Sequence, residues 1–263
     1  INTIDRDYGK NWVVSVDRPK YYRSVGYSDT RNGYYEISSG NINDTNTTTP
    51  QISIHYGLNT YQSSAQQCNW NVGEIISYNR TLDITEENKI FDYLKHRYLG
   101  TNQSTSGEVY QLSGIVTGNN SLIRGFPPEY SSINNIIGWY IPESYDASGY
   151  WRDISLYKND LSSCGTTPQY VLNDSKYKWL SYIKGSSGDT YEDASGYKFP
   201  ENFLPSDGSY TLIHVSRRVK DSLGNSSGRI FDSVSNKNFY SGFFGTKTGV
   251  ALHSIDVSAS NAQ

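Results

Sequence analysis

The chain predicts an all-β fold carrying one short helix, and three observations support this. Its 263 residues include 24 Tyr and 23 Gly, abundant Ser, Asn and Thr, and no Met. Tyr and Thr favour pleated, half-buried surfaces, and Gly with Asn supplies turns. Two runs alternate with the period of a strand. QISIHY sets Ile52 and Ile54 on one face, and YTLIHVSRRV sets Leu212, His214 and Ser216 opposite Ile213, Val215 and Arg217. The segment VGEIISYNRTLDITEENKIFDYLKHRYLG, by contrast, changes from strand to helical spacing after a turn at Asn79-Arg80-Thr81.

Within that segment Asp83 is the expected N-cap, with Glu86 three residues on as its capping-box partner. Glu86 and Glu87 in the first turn and His96 and Arg97 in the last suit the helix dipole. Phe91, Leu94 and Tyr98 form an apolar face, and Gly100 is a natural stop. Before it, strands are expected over Trp12–Val16 and, after Pro19, over Tyr21–Tyr27. Asn32-Gly33 between Tyr-rich runs signals a two-residue hairpin, and Asn41 to Pro50 reads as an exposed loop. Thr101 to Glu108 has linker composition. Further strands are expected at Ile136–Ile141 and Tyr210–Val219. The two DASGY runs, at Asp146–Tyr150 and Asp193–Tyr197, read as turns.

Bulk properties narrow the function. A net charge of −3 and a sequence pI near 5.8 give no basic footprint for nucleic acid. The cluster Arg217-Arg218-Val219-Lys220 reads as a solvated strand end. No apolar run approaches the ~18 residues of a membrane span. Without Met, Ile1 is not a translation start, so the chain is expected to be part of something longer. Asn-x-Ser/Thr sequons stand at Asn43, Asn46, Asn79, Asn102, Asn119, Asn173 and Asn225. Cys68 and Cys164 permit one disulfide. Together these features favour an extracellular or surface-displayed glycoprotein.

The strand GEIISYNR followed by L…ITEENKIFDYL…RYLG resembles the closing segment of laminin-G-like jelly rolls of the concanavalin A-like superfamily. GWY…PESYD…W-D-S, from Gly138 onwards, resembles the opening of the same family, and Gly228–Phe231, Phe239–Gly245 and Gly249–His253 resemble its middle strands. The resemblance implies an antiparallel jelly-roll β-sandwich with the family's halves in reversed order. Residues 1–100 would form the second half, 101–109 a linker and 110–263 the first half. Three arrangements satisfy that order: a circularly permuted domain, a window cut from a tandem array, or a filament whose neighbouring copies complete one another. First and last strands are neighbours in this family, which implies a Cys68–Cys164 bond. Copies of the same chain and glycans are the partners the resemblance implies.

Catalytic chemistry is harder to find. The E-x-D-x-x-E run of the superfamily's glucanases is absent, and Glu192-Asp193 would face opposite sides of a strand. Gly224-Asn225-Ser226-Ser227-Gly228 matches a nucleophile elbow in form, but strand-like residues flank it on both sides, so it reads as a hairpin turn. His55, His96, His214 and His253 lack metal-ligand spacing. Trp70, Trp151 and Trp179, flanked by polar residues, are candidate platforms for sugar rings. Asp146, Asp153 and Asp193 are the acids nearest to a calcium set, and no other cofactor is expected. The expectation is a non-catalytic structural or adhesive module, with a carbohydrate-binding lectin as the alternative.

Overall fold

A computed structural model describes residues 12–28, 33–41, 52–54, 68–94, 98, 134–174, 180–188, 193–205, 207–219, 228–233, 238–244 and 247–254. The linker, Trp179, His55, His96 and five of the sequons (Asn43, Asn46, Asn102, Asn119 and Asn225) lie outside these residues, as does all but Gly228 of the elbow-like run. The expected all-β sandwich with one helix is present. Its first antiparallel sheet runs β10 (Gln169–Asp174), β11 (Leu180–Gly185), β5 (Asn69–Tyr78), β13 (Thr211–Val219), β1 (Val13–Arg18), β2 (Tyr21–Ser28), β3 (Gly33–Asn41), with β6 (Ile136–Tyr140) also bonded to β5. The second runs β16 (Lys247–Ser254), β15 (Asn238–Phe244), β14 (Phe231–Ser233), β4 (Ile52–Ile54), β12 (Ser195–Lys198), β9 (Leu161–Gly165), β8 (Tyr150–Trp151), β7 (Tyr145–Asp146).

Strands from the two ends of the chain alternate in space. β5 lies between β13 on one side and β11 and β6 on the other, and β4 sits between β12 and β14. One register row carries Ile76 of β5, Ile213 of β13 and Val16 of β1. A bulge at Gly73 keeps the alternation of β5 in phase, so Trp70, Val72 and Ile75 share the inner face while Glu74, Ile76 and Tyr78 point outward.

Both faces of the first sheet are buried. The inner face packs Val72, Ile75 and Leu212 against Ile54, Tyr197 and Phe231 of the second sheet. The outer face packs Val14, Val16, Ile76 and Ile213 under the helix α1 (Ile84–Leu94), which contributes Ile90, Phe91 and Leu94. The capping box is formed as expected. Asp83 Oδ1 accepts the backbone N–H of Thr85 and Glu86 at 2.8 and 2.9 Å, and Glu86 returns a carboxylate oxygen to the Asp83 N–H at 3.0 Å. His96 and Arg97 lie outside the described residues, but Tyr98 is placed. Its hydroxyl donates to the Gly73 carbonyl at 3.1 Å and to Glu74 at 3.0 Å. Glu74 also accepts the Trp139 indole N–H at 2.7 Å, so one buried carboxylate fastens β6 and the segment after α1 to the sheet.

Three expectations are corrected. Arg217 and Arg218 are not a solvated strand end. Both are buried, Arg217 beside the Trp12 ring (5.6 Å) and Arg218 over Phe243 (5.0 Å), because this strand is central and covered on both faces. The β2–β3 hairpin forms, but Gly33 pairs with Ser28 inside the ladder, so residues 29–32 connect the strands rather than an Asn32-Gly33 turn. The Cys68–Cys164 bond is not formed. Both are free thiols, with Cys68 in the inter-sheet core donating to the Arg229 carbonyl at 3.3 Å and Cys164 on β9 opposite Gly196.

Candidate binding face

Asp146 and Tyr150 are directly opposed in the short β7–β8 hairpin. Its turn is built by Asp146, whose Oδ1 accepts the Ser148 N–H at 2.8 Å, and by Gly149, at φ +98°. Alternation then decides which side chains face out. Trp151 points inward between Tyr140 and Tyr197, with ring centroids 5.9 and 5.7 Å away, and its indole N–H donates to the Ile141 carbonyl at 2.7 Å. Tyr150 therefore faces solvent, at 42% exposure. The Arg152 guanidinium lies 4.7 Å from the centre of its ring.

Arg152 is held by two carboxylates. It donates to Asp146 Oδ2 through Nε and Nη2 at 3.0 and 2.6 Å, and to Asp160 Oδ2 through Nη1 at 2.7 Å. Asp146 is pushed down to about 2, first by the Ser148 N–H and then by Arg152, so it is ionised throughout the physiological range. The Arg152 guanidinium is in turn held protonated by Asp160 and Asp146.

Beneath this surface Asp153 organises the loop that follows. It is buried, and its two oxygens accept the N–H groups of Trp139, Ser155 and Asn159 and the Ser155 hydroxyl, at 2.7 to 2.8 Å. Asn159 donates its side-chain amide to the Ile137 carbonyl at 2.7 Å and accepts the Tyr140 hydroxyl on its own carbonyl at 2.6 Å. So held, the loop presents Leu156 and Tyr157 to solvent, 65% and 49% exposed.

The other candidate residues are elsewhere. Trp70 is fully buried, its indole N–H donating to the Ser195 carbonyl at 3.1 Å, so neither it nor Trp151 offers a ring face to a sugar. Asp153 is saturated by its loop, Asp146 is engaged by Ser148 and Arg152, and Asp193 stands exposed before β12. Among the described residues no group of three His, Cys, Asp or Glu is placed to hold a metal. His214 is buried between the sheets, its ring nitrogens 2.9 Å from the Ser216 hydroxyl and 3.0 Å from the Ser241 hydroxyl, and stacked 4.0 Å from Phe231. Burial pushes it down to about 3, so the imidazole is neutral. Burial raises Cys68 and Cys164 to about 12, which leaves both as thiols. Of the sequon residues described, Asn173 is exposed on the edge strand β10 and Asn79 is half-buried after β5. No described helix is long and apolar enough to cross a membrane.

Sequence reasoning missed Tyr150, Arg152 and Asp160. The available signal was the first DASGY turn, which fixes the phase of the next strand and hence the outward direction of Tyr150. No protein-family model, curated protein or solved structure matches this chain.

Proposed function

We propose that this chain is a non-catalytic structural or adhesive module, displayed outside the cell as part of a glycosylated assembly. The observation that carries this reading is the division of labour among its polar groups. His214, Glu74 and Asp153 join one element to another in buried sites, whereas the exposed Tyr150, Arg152, Leu156 and Tyr157 stand on a rigid hairpin and loop. Rigid, solvent-facing aromatic and arginine side chains are the usual currency of recognition surfaces. The laminin-G-like reading belongs to this proposal, supported by the order of the two chain parts and by their joining in one pair of sheets.

Assembly through copies of the same chain takes one of two forms, exchanged halves or self-contained modules in an array. Pairing of β5 with β13, β11 and β6 of its own chain favours the self-contained form. The test is native mass measurement on the folded chain, followed by incubation with oligosaccharide and peptide panels read by mass spectrometry. A 29.6 kDa particle that binds without turnover is expected. Open polymers at micromolar concentration would overturn the self-contained form, and any hydrolysed or modified panel member would overturn the non-catalytic reading.

A further inference from the structure

Tyr145 and Tyr170 meet at the margin of the sandwich. β7 ends the second sheet and β10 ends the first, so the two residues belong to edge strands of different sheets. Alternation turns both rings inward. Tyr145 is paired with Trp151 and Tyr170 with Ile183, and both of those partners are core. The two rings are stacked, with centroids 6.1 Å and planes 27° apart, and each is half-buried. The Tyr145 hydroxyl is fixed by donating to the Pro168 carbonyl at 3.0 Å. Two phenols held ring to ring within reach of solvent have the geometry from which tyrosyl radicals couple.

The usual competitors for an oxidant are missing or shielded. The chain has 24 Tyr and no Met. Trp12, Trp70, Trp139 and Trp151 are buried, and burial keeps Cys68 and Cys164 as thiols instead of the reactive thiolates. We propose that Tyr145 and Tyr170 are a modification site, joined by one-electron oxidation into a dityrosine that staples the two sheet edges together. The oxidant is hydrogen peroxide acting through a haem peroxidase. Each phenol gives up one electron and one proton, and the two radicals form a carbon–carbon bond between their ortho positions. The hydrogens on those two carbons then move to the phenolic oxygens. Two hydrogen atoms leave the protein, and the peroxide is reduced to two waters. To reach bonding distance the rings slide edge to edge, an adjustment that half-buried side chains at a margin can make. The bond ties β7 to β10 directly, which the free Cys68 and Cys164 do not do. Both oxidant and peroxidase come from outside the chain, so the staple is independent of the non-catalytic reading.

The test treats the dilute, folded chain with peroxidase and hydrogen peroxide, then maps its peptides by mass spectrometry alongside dityrosine fluorescence. A linked peptide pair containing Tyr145 and Tyr170, two hydrogens lighter than its parts, is expected within a monomeric product. The linked protein should have a higher urea midpoint than the untreated chain, because the bond restricts the unfolded state. Tyr145→Phe and Tyr170→Phe each keep a ring in place without its phenol, and each should abolish the link. Tyr150→Phe should leave the yield unchanged, since that ring is exposed and lies against Arg152. Chain unfolded in urea before treatment should give at least tenfold less of the Tyr145–Tyr170 link. No link at this pair, a greater yield from other tyrosines of the folded chain, or an equal yield from the unfolded chain would each overturn the site. A link that leaves the urea midpoint unchanged would overturn its role as a staple.

Discussion

At position 214 a strand that passes through the middle of the sandwich carries an imidazole where leucine or valine would fill the space. The opposite sheet is shaped to receive it. Gly242 has φ +82°, and a Cβ there would come 2.8 Å from His214 Cε1. Gly242→Ala is therefore expected to destabilise the fold by more than about 1 kcal/mol, from the left-handed backbone and the clash together, read as a lower urea midpoint. His214 also makes stability depend on pH. Its folded value is depressed to about 3 from an ordinary value near 6.5, so below about 6.5 the unfolded chain takes up a proton that the native state refuses. The contribution is complete above that pH and shrinks by up to about 1.4 kcal/mol per unit as the pH falls towards 3. Urea midpoints measured from pH 7 to 4 should show this decline, and a His214→Gln variant should show a shallower one. Equal slopes would mean that His214 is not the group responsible.

At the scale of elements, the helix start was legible because its signal is local. Asp83 and Glu86 are three residues apart and bond each other's backbone. Asp83→Ala is expected to cost about 1 kcal/mol, measured by urea denaturation, with little change if the cap carried no load. The long strands β1, β2 and β13 were legible for a similar reason, since their β-rich runs extend over several residues. The short polar strands β9 and β10 were not, because apart from Leu161 their side chains are half-buried or exposed, and β12 was not because its first residues belong to the second DASGY run, which reads as a turn. The tryptophans show how a local signal misleads. Polar neighbours around Trp70 and Trp151 suggested exposure, yet adjacent strand residues face opposite sides. Asn71 and Arg152 thus say nothing about the face that Trp70 and Trp151 occupy, and both indoles are core. The arginines at 217 and 218 were misjudged because a sequence does not reveal that both faces of a central strand will be covered.

For the molecule as a whole, the central claim is that the two ends of the chain close one sandwich. The fold class was legible from composition and period, but the pairing of distant strands was not. It depends on non-local matches such as Ile76 with Ile213 and Val14 with Val215, which no window of sequence contains. The inter-sheet core is shared in the same way, with Trp70 and Ile54 from one part against Phe231 and Tyr197 from the other. Neither part has a complete core of its own, so the two are expected to unfold together in a single transition. Native-state hydrogen exchange tests this directly. The amides of Asn69–Tyr78 and Thr211–Val219 should be among the slowest in the chain and should exchange with the same opening free energy. Slow exchange in Thr211–Val219 with rapid, independent exchange across Asn69–Tyr78 would contradict the account.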